Sequence, residues 1–550
     1  MKQPEIVHAT QAELDEILAL AKTSFPQRQY QLLEGVLGTF AHVMLTLQNA
    51  KTSIKRFRQM LFGARTERKR DVLADHVVVT ARVEGEVESE GDGDGAAPAA
   101  APAAAPATAP RSGHGRNPAQ AYRGAPIVEC EHSDLRSGDP CPQCPTGKVY
   151  DSPPRTLVKV VGQAPLAGTV YKLQRLRCRL CDAIFTAPLP AAVAALPKYD
   201  PSCASMIALL RYGSGVPNYR LEGLQACLYV PLPDSTQWDL VSKAAPGPRA
   251  AFEELIRQAA QAPLLHNDDT PARVLSLMAE RVKAEAAGRT PKAKAINTTG
   301  IVAVVQERKV VLFFTGHAHA GKNLERVLAQ RARELAPPMQ MCDALASNMA
   351  GEFATVLGHC LAHGRRKVVD VVEHFPRECR QVIEVLAKVY AHDAACRKDQ
   401  LSPERRLWFH QEHSGPLMQG LLGWMTEQFD KRQVEPNSGL GQALRYLLNH
   451  WNELTLFLRQ AGAPLDNNIC ERALKRAILQ RKNSMFYKTL NGAAVGDMYM
   501  SLIHTCRLCE VNPFEYLQVL QRHAGEVRAS AALWLPWNYG EQLPGATRGA

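Results

Sequence analysis

Three carboxylates differ from the other acidic residues of this 550-residue chain in what surrounds them. Asp268 (in PLLHNDDTPARVL) and Asp343 (in PMQMCDALASN) each close a short apolar run, where a buried strand would stop. Glu471 (in PLDNNICERALKRAILQRKNSMF) begins a strongly basic helix. Paired Mg²⁺ ions take hard oxygen ligands from several separate elements, and a phosphodiester backbone attracts cations. The sequence therefore predicts a two-metal site beside a surface that binds phosphodiesters.

Each of these carboxylates also has a purely structural interpretation. Asn468 and Glu471 have the spacing of a capping box, in which Glu471 would only satisfy the N-terminus of its own helix. Asp466 competes with Glu471 as the third metal ligand. Asp268 and Asp343 would then be ordinary loop residues that follow strands. From these residues alone, both interpretations stay open.

The segments around the first two carboxylates predict a mixed α/β core. PLLHND predicts a strand ending in Asp268, IVAVVQ and VVLFFTG a hairpin, GKNLERVLAQRARELA a helix, and MQMCD a strand ending in Asp343. This is the element order of an RNase H-like domain, whose first and fourth strands bring two Asp side by side. The helical stretch that follows, about residues 376–460, predicts an all-helical insertion before Glu471.

Two Cys-x-x-Cys pairs predict a zinc-ribbon-like module with one structural Zn²⁺. The four thiolates are those of Cys141, Cys144, Cys178 and Cys181. Between the pairs, TLVKVV and TVYKLQRLR alternate like strands and predict a hairpin arm. Cys130 and His132 lie close by as substitute ligands, and Arg175 and Arg177 favour contact with DNA. A ribbon with a structural role alone is the alternative.

The other cysteines need a different explanation. The chain has 14 Cys, and in a reducing cytosol they should not form a disulfide framework, which leaves metal binding and burial. Cys506 and Cys509 fall within the helical run MSLIHTCRLCEV. Burial of small side chains on a helix is the better interpretation of that third pair.

The N-terminal region carries a heptad pattern. Its apolar positions are Leu33, Phe40, Leu47, Ile54 and Leu61, each of the first four followed three residues later by Val36, Val43, Ala50 or Phe57. This pattern predicts a coiled coil through which the chain dimerises, with an amphipathic helix packed on its own domain as the alternative. An acidic stretch and AAPAAAPAAAPATAP follow and predict a flexible linker.

Residues 201–260 predict helices. Within them, NYRLEGLQACLYVPLPDSTQWDLVSKA predicts helix, turn and helix, with Asp234 or Ser235 capping the second helix. The pattern is typical of a helix-turn-helix that binds DNA, and simple helical packing explains it equally well.

The overall charge favours an anionic partner. A net charge of +11 and a pI near 9.0 suit nucleic acid or a membrane surface, although solubility alone is an alternative. The N-terminal sequence has no apolar core of a signal peptide, and no run of 18 apolar residues occurs. We therefore expect a cytosolic protein without a membrane partner.

The chain resembles the large DDE transposases of the bacterial insertion-sequence-66 family. The matching stretches, in the family's order from about residue 57 to 520, are LFGARTERKR, the two Cys-x-x-Cys pairs, NDDTPARVL, CDALASN, CLAHGRRK, LDNNICERAL, QRKNSMFYKT and NPFEYL. LDNN-x-x-ER-A-L followed by RKN is the most specific. Where the family commonly shows Asp-Glu-Thr, this chain has Asp268-Asp269-Thr270, which makes Asp269 the alternative first carboxylate. CDALASN replaces the Asp-Gly-Tyr of many members and leaves Asp343 in place.

The resemblance implies roles for individual residues. Asp268, Asp343 and Glu471 would be the DDE triad, holding two Mg²⁺ or Mn²⁺ ions per active site. Cys360 and His363 resemble a Cys-x-x-His element of several DDE transposase groups and would support the site, as would Asp269; a buried Cys and His on one helix face is the alternative. The basic residues expected to bind DNA near the site are Arg472, Arg476, Arg481, Lys482, Arg365 and Arg366.

The implied function is that of a transposase. It would bind the terminal inverted repeats of its insertion sequence on double-stranded DNA and catalyse metal-dependent strand cleavage and strand transfer. It would act at the nucleoid in the bacterial cytoplasm as at least a homodimer, with small accessory proteins from the same element. The alternatives are a DNA-binding regulator that has lost catalysis and an RNase H-like nuclease without strand transfer.

Together these features predict a multidomain α/β protein with six regions. They are an N-terminal coiled-coil region (1–82), an acidic and Ala/Pro linker (83–125), a zinc-binding module (126–190), a helical domain (191–260), an RNase H-like catalytic domain with its helical insertion (261–485), and a C-terminal helical region and tail (486–550).

Overall fold

The structure, a computed structural model, describes most of the chain from residue 127 onward and a short segment before it. The described residues are 18–22, 24–31, 33–37, 127–143, 146–153, 157, 162–177, 179, 184–288, 290, 295–305 and 307–543. By its internal contacts the chain forms two units, Thr80–Pro165 and Met1–Val79 with Leu166–Ala550. The predicted heptads beyond residue 37, the Ala/Pro linker, and Cys144, Cys178 and Cys181 lie outside the described residues.

In the unit Thr80–Pro165, the described residues around the first Cys-x-x-Cys pair form a tight antiparallel turn. The backbone N–H of Cys141 donates to the carbonyl of Gly147 (2.8 Å), and Pro140 bridges to Lys148. Gly138 has φ +96°, a left-handed conformation that favours glycine, and its N–H donates to the carbonyl of Val149 (2.8 Å). The described backbone here is therefore a compact turn held by its own hydrogen bonds.

Two short strands pair in the larger unit, one on each side of the second Cys-x-x-Cys pair in the sequence. Strands β1 (Arg175–Arg177) and β2 (Ile184–Thr186) pair antiparallel, with both arginine side chains exposed. The prediction paired TVYKLQRLR with TLVKVV, which is described only at Leu157. In the structure, Arg175–Arg177 pairs instead with Ile184–Thr186, which is nearer in sequence, so a shorter loop has to be closed.

A five-stranded mixed sheet forms the centre of the larger unit. Its strands are β3 (Leu264–Pro271), β4 (Asn297–Val305), β5 (Arg308–Gly316), β6 (Met339–Cys342) and β7 (Val356–His359), in the order β5-β4-β3-β6-β7. Pairing is antiparallel between β3, β4 and β5 and parallel between β3, β6 and β7. The predicted hairpin and the strands leading to Asp268 and Asp343 are confirmed. However, β3 continues to Pro271, because β4 pairs with it beyond Asp268.

Helices surround this sheet. Numbered from residue 191, they are α1 (Ala191–Ala194), α2 (Pro201–Ala208), α3 (Asn218–Cys227), α4 (Asp234–Lys243), α5 (Pro246–Ala260), α6 (Leu275–Ala286), α7 (Ala320–Leu328), α8 (Leu361–Val369), α9 (Pro376–Lys398), α10 (Pro403–Phe409), α11 (Gly415–Asp430), α12 (Gly439–Asn449), α13 (Trp451–Leu454), α14 (Asn468–Ser484), α15 (Leu490–Leu508), α16 (Pro513–Arg522) and α17 (Ala524–Ala529). No helix among the described residues is long and apolar enough to cross a membrane.

The helix predicted from Gly321 to about residue 336 ends early, at Leu328. The reason lies in Arg331, whose Nη1 donates to the carbonyls of both Ala260 and Ala262 (2.8 Å each). These hydrogen bonds hold Arg331 at the C-terminal end of α5, so the chain does not continue as a helix beyond Leu328.

The predicted helix, turn and helix is confirmed in α3 and α4, but not its cap. Asp234 is the first residue of α4 and makes no side-chain cap; its N–H instead donates to Glu222 Oε2 of α3 (3.1 Å). The buried side chain of Gln237 donates to the carbonyls of Asn218 (3.1 Å) and Leu232 (3.0 Å). The turn is therefore fixed by contacts between the helices.

Residues 376–458 are largely helical, as predicted for the insertion, and share an apolar core with α8 and with Met339 and Val356 of the sheet. Asp393 is buried among these helices and is balanced by cations: Arg397 and Arg406 each approach its carboxylate at 2.6 Å, and His410 lies at 3.4 Å. These contacts lower the pKa of Asp393 despite its burial. The insertion therefore packs against the sheet and holds a compensated buried charge.

Helix α15 protects the edge of the sheet at β5. Every second N–H of β5 points to it, and every fourth residue of the helix offers an oxygen: Val311 N to Thr505 Oγ1 (3.0 Å), Phe313 N to Ser501 Oγ (2.9 Å) and Thr315 N to Asp497 Oδ2 (2.6 Å). Four helix residues rise about 6 Å and two strand residues about 6.6 Å, so the two spacings match. An edge strand that would otherwise expose unpaired donors is thereby covered.

The Cys506–Cys509 pair lies at the C-terminal end of the same helix. Cys506 is fully buried and Cys509 is half-buried just after the last helical residue. The prediction that this pair serves packing is confirmed for Cys506.

Asp497 should make folding sensitive to pH. Its burial raises its pKa to about 7, although Thr315 donates two hydrogen bonds to it. Because the folded pKa lies above the unfolded value, the group's contribution to stability is complete below about pH 4. We expect it to fall by up to about 1.4 kcal/mol per pH unit until about pH 7. In Asp497→Asn this part of the slope should vanish, which urea unfolding at several pH values can measure. Identical slopes in both proteins would contradict the expectation.

Candidate active site

The strand register brings Asp268 and Asp343 to one edge of the sheet. Parallel pairing of β3 with β6 ends at His266 opposite Met341. Asp268 and Asp343 each lie two residues further along their strands. Residues separated by two point to the same face of a sheet, so both carboxylates leave the sheet side by side.

One buried amide contacts both carboxylates. Nδ2 of Asn348 donates to Asp343 Oδ1 and lies 3.5 Å from Asp268 Oδ1. The backbone carbonyl of Asn348 accepts from Asn267 Nδ2 and Gln340 Nε2 (2.7 Å each). A network of buried amides therefore holds the donor that spaces the two carboxylates.

Replacing Asn348 by Ala should lower the affinity of the site for divalent metal. Residues that orient metal ligands typically account for about 10- to 100-fold in metal affinity or activity. We expect the metal concentration for half-maximal activity to rise by that factor, while the circular dichroism spectrum stays that of the wild type. An unchanged metal dependence would show that Asn348 has no role in positioning Asp268 and Asp343.

Asp268 sits in an environment that disfavours its negative charge. Burial raises its pKa to about 7, and the charges of Asp343 and Glu471 add to the effect, although the N–H of Asp269 donates to it (2.8 Å). Because the charges of Asp343 and Glu471 both act on the pKa of Asp268, the three carboxylates share one electrostatic environment. A cation bound among them would relieve this repulsion.

Asp269 points to the other side of the sheet. Its Oδ1 accepts from Thr299 Oγ1 (2.6 Å), and its Oδ2 accepts from the N–H of Ala320 (2.8 Å) at the start of α7. His319 also lies 3.4 Å from Oδ2. The carboxylate of Asp269 is thus engaged in joining β3, β4 and α7, on the face opposite to Asp343.

Helix α14 carries Glu471 and lies closely against β4. Gly300, which pairs with Asp268, has no side chain where the helix crosses, and a Cβ there would lie 2.9 Å from Leu474 Cδ2. Sγ of Cys470 donates to the carbonyl of Gly300 (3.2 Å). The missing side chain on β4 therefore allows the first turn of α14, with Glu471, to approach the carboxylate edge.

The start of α14 is fixed by Asn467. This fully buried residue accepts a hydrogen bond at Oδ1 from the His266 ring (3.0 Å) and donates from Nδ2 to the carbonyl of Asn267 (3.1 Å). Its N–H donates to Sγ of Cys360 (3.2 Å). Burial lowers the pKa of His266 to about 4, so the ring is neutral at pH 7. Asn467 thus connects α14, β3 and the start of α8.

Glu471 lies beside the Cys-x-x-His element. Its Oε1 is 3.7 Å from His363 Nδ1, and its Oε2 is 3.9 Å from the guanidinium of Arg366. Ligand atoms of Cys360, His363 and Glu471 all lie within 4.8 Å of one another. Oε1 of Glu471 is buried without a hydrogen-bond partner among the described residues, which leaves it available to a ligand.

The capping-box interpretation of Glu471 is wrong. The N-cap of α14 is Asn467, and no side chain caps the helix there. Asp466 instead accepts from the N–H of Asn468 (3.1 Å) and from its Nδ2 (2.8 Å). Because Asp466 is already engaged in this turn, Glu471 is the better candidate for a metal ligand.

The predicted DNA-binding residues differ in their surroundings. Arg472, Arg476 and Lys482 are exposed on α14. Arg481 is half-buried and donates to Thr270 Oγ1 (3.2 Å) and to the carbonyl of Pro271, so it ties α14 to the end of β3. The other predicted cations near the site are the half-buried Arg365 and Arg366 of α8.

The site fits a pair of hard divalent cations. Three carboxylates come from three elements, one of them has a raised pKa, and one has an unpartnered buried oxygen within the described part of the chain. Their oxygen atoms are the donors that Mg²⁺ and Mn²⁺ prefer. For Zn²⁺ at the Cys-x-x-Cys pairs, the described residues include one of the four predicted cysteines, Cys141, and the exposed substitute ligands Cys130 and His132.

The sequence analysis missed the amides that position these carboxylates. Asn267, Gln340, Asn348 and Asn467 are all buried. The one available signal was polarity at positions where a strand should be apolar, namely Asn267 before Asp268 and Gln340 within MQMC. A buried amide needs partners, so such positions predict a network.

Comparisons with known proteins identify the family of this chain. The family described as Transposase IS66 family matches residues 198–495. The protein y4jD of Sinorhizobium fredii is 35% identical over 187 residues, which cover 33% of this chain and 36% of y4jD. The protein y4hP of the same organism is 24% identical over 389 residues, 66% of this chain and 67% of y4hP. Both relatives are described as uncharacterized. This chain therefore spans about a third of y4jD and two thirds of y4hP.

Proposed function

The chain belongs to the IS66 transposase family, and we propose that it is the DDE-type enzyme that cuts and joins the ends of its own insertion sequence. Asp268, Asp343 and Glu471 form the catalytic triad in this proposal. The observation that carries it is the placement of these carboxylates at one sheet edge, where Asn348 contacts both Asp268 and Asp343 and where burial, together with the charges of Asp343 and Glu471, raises the pKa of Asp268.

We also propose that the catalytic core is RNase H-like. The strand order β5-β4-β3-β6-β7, with an antiparallel first half and a parallel second half, supports this assignment. The helices between α8 and α14 are the insertion that separates the second and third carboxylates. On this view the insertion returns the chain to the sheet edge with Glu471 at the start of α14.

The chemistry follows from what these residues can hold. Two Mg²⁺ or Mn²⁺ ions bound by the triad would supply an activated water or DNA 3′-hydroxyl and stabilise the leaving 3′-oxygen. Asn348 keeps Asp268 and Asp343 apart at a fixed spacing. Arg366 offsets part of the negative charge of Glu471. The exposed Arg472 and Lys482 steady the DNA backbone next to the scissile phosphate.

Binding of the element ends is proposed to use other parts of the chain. The candidates are the zinc-binding module with Arg175 and Arg177, the pair of helices α3 and α4, and residues 51–70, which carry eight Lys or Arg. One Zn²⁺ on the two Cys-x-x-Cys pairs would hold the module together. Two ends must be brought together for joining, so we propose at least a dimer formed through the heptads, with accessory proteins of the element as further partners.

A strand-transfer assay tests this proposal. The substrate is a labelled duplex carrying the inverted repeats that flank the gene, offered with a supercoiled target and Mn²⁺ or Mg²⁺. We expect end cleavage and joined products that disappear when a chelator removes the metal. A scrambled-end duplex of equal length serves as the control.

The alternatives give different results in the same assay. Cleavage without joined products would favour a nuclease. Specific end binding without cleavage, in the presence of the element's accessory proteins, would favour a regulator. Either result would overturn the proposal of a strand-transferring enzyme.

A further inference from the structure

A second cluster of metal-binding side chains lies beside the active site and takes no part in the proposed reaction. Ligand atoms of His359, His450 and Glu453 lie within 4.8 Å of one another. His359 is the last residue of β7, His450 follows α12, and Glu453 is on α13. The cluster therefore joins the catalytic sheet to the helical insertion.

His359 has an unusual environment for a histidine. It is 2% exposed, and neither of its ring nitrogens has a hydrogen-bond partner within the part of the chain that the structure describes. A buried polar group without a hydrogen-bond partner destabilises the folded state, because it has lost its bonds to water. The nearest ring is that of His450, 5.1 Å away between centroids and almost perpendicular. That ring supplies no hydrogen bond to His359, so the cost is left uncompensated by protein groups.

The donor set indicates which ligand would offset this cost. Two imidazole nitrogens and one carboxylate oxygen are the protein ligands of one common type of Zn²⁺ site, with water in the fourth position. Tetrahedral ligands at zinc lie about 3.3 Å apart, so small rotations of the half-buried His450 and Glu453 side chains would complete the site. Burial and the neighbouring His450 lower the pKa of His359, and a neutral ring is the form that binds metal. Mg²⁺ is a poor match, because it prefers oxygen ligands.

We propose that His359, His450 and Glu453 bind one Zn²⁺ ion that fixes the helical insertion to the catalytic sheet. His359 pairs with Cys342, the residue directly before Asp343. Tyr446, one turn before His450 on α12, contacts the His450 ring (4.9 Å between centroids). A metal bond at this point holds the strand pair that carries Asp343 against α12 and α13. The site is independent of the proposed transposition chemistry.

Zinc content of the full-length protein tests the proposal. Protein equilibrated with Zn²⁺ and then passed into metal-free buffer is analysed by mass spectrometry of the metal. Wild type should hold one Zn²⁺ per chain more than Glu453→Gln and more than His450→Gln. The comparison uses a difference, so zinc bound at the cysteine pairs cancels. His523→Gln, a change far along the chain in the C-terminal helices, should keep the wild-type content.

A third variant guards against loss of metal through misfolding. His359→Leu replaces the unpartnered ring by an apolar side chain of similar size. If Zn²⁺ binds, this variant loses one ion and melts at a lower temperature than wild type in zinc buffer. If no metal binds, removing an unpartnered buried ring should leave the melting temperature unchanged or raise it. Equal zinc content in wild type and Glu453→Gln, with His359→Leu as stable as wild type, would overturn the proposal.

Discussion

Replacing Glu471 by Gln should abolish metal-dependent DNA cleavage while leaving the fold and DNA binding intact. Oε1 of Glu471 is buried without a hydrogen-bond partner among the described residues, so the amide loses no hydrogen bond there and weakens only the longer ion pairs with His363 (3.7 Å) and Arg366 (3.9 Å). Loss of a ligand to the catalytic metals removes several kcal/mol of transition-state stabilisation, which corresponds to at least about a 10³-fold drop in rate. The measurement is the rate of end cleavage at saturating Mn²⁺.

A matched variant makes this prediction specific. Asp466→Asn removes a carboxylate five positions earlier, where the Asn468 N–H can still donate to the remaining side-chain oxygen. We expect it to retain activity within about tenfold, since the half-buried side chain keeps the hydrogen bond from the Asn468 N–H and a loss of about 1.4 kcal/mol corresponds to a tenfold lower rate. Full activity in Glu471→Gln together with a dead Asp466→Asn would mean that Asp466 is the third carboxylate.

Placing a methyl group on Gly300 should reduce activity about 10²-fold by displacing helix α14. The new Cβ would lie 2.9 Å from Cδ2 and 3.0 Å from Cγ of Leu474, which is too close. Leu474 is 3% exposed, so its side chain has no free space to enter. Overpacking of this kind costs about 1–3 kcal/mol of stability, and misplacing a catalytic group by about 1 Å costs about 10²-fold in rate.

The double variant Gly300→Ala/Leu474→Ala tests the cause. Shortening Leu474 removes the clash, so the double variant should be more active than Gly300→Ala alone, although Leu474→Ala by itself leaves a cavity and destabilises the protein. A double-mutant cycle on cleavage rate and on melting temperature measures the coupling. Additive effects would mean that Gly300 does not set the position of Glu471.

The strands, the hairpin and the first two carboxylates were predictable because apolar alternation and the register of a sheet are local properties. β3 extends beyond its predicted end at Asp268, because the end of a strand is set by its pairing, here with β4, and not by the apolar pattern. Because β3 continues past Asp268, the side chains of Asp268 and Asp269 point to opposite faces of the sheet and have different roles. From the sequence alone, both residues were candidates.

The parts that were not predictable depend on distant contacts. Asn348 contacts the ends of two strands, and Asn467 joins α14 to β3 and α8, so their roles appear only when residues distant in the sequence have come together. The spacing of Asn468 and Glu471 predicts a capping box, but Asp466 supplies the hydrogen bonds at that turn. The charge of Arg481 predicts a DNA contact, and the structure adds hydrogen bonds to Thr270 and Pro271 that hold α14 in place.

We propose above that Asp268, Asp343 and Glu471 bind the catalytic metals together. Anomalous X-ray scattering at the manganese edge, from crystals of the full chain with its element-end duplex and Mn²⁺, measures this directly. We expect anomalous peaks within bonding distance of oxygen atoms from all three carboxylates. Manganese bound without Glu471, with that side chain held instead by Cys360 and His363, would contradict it.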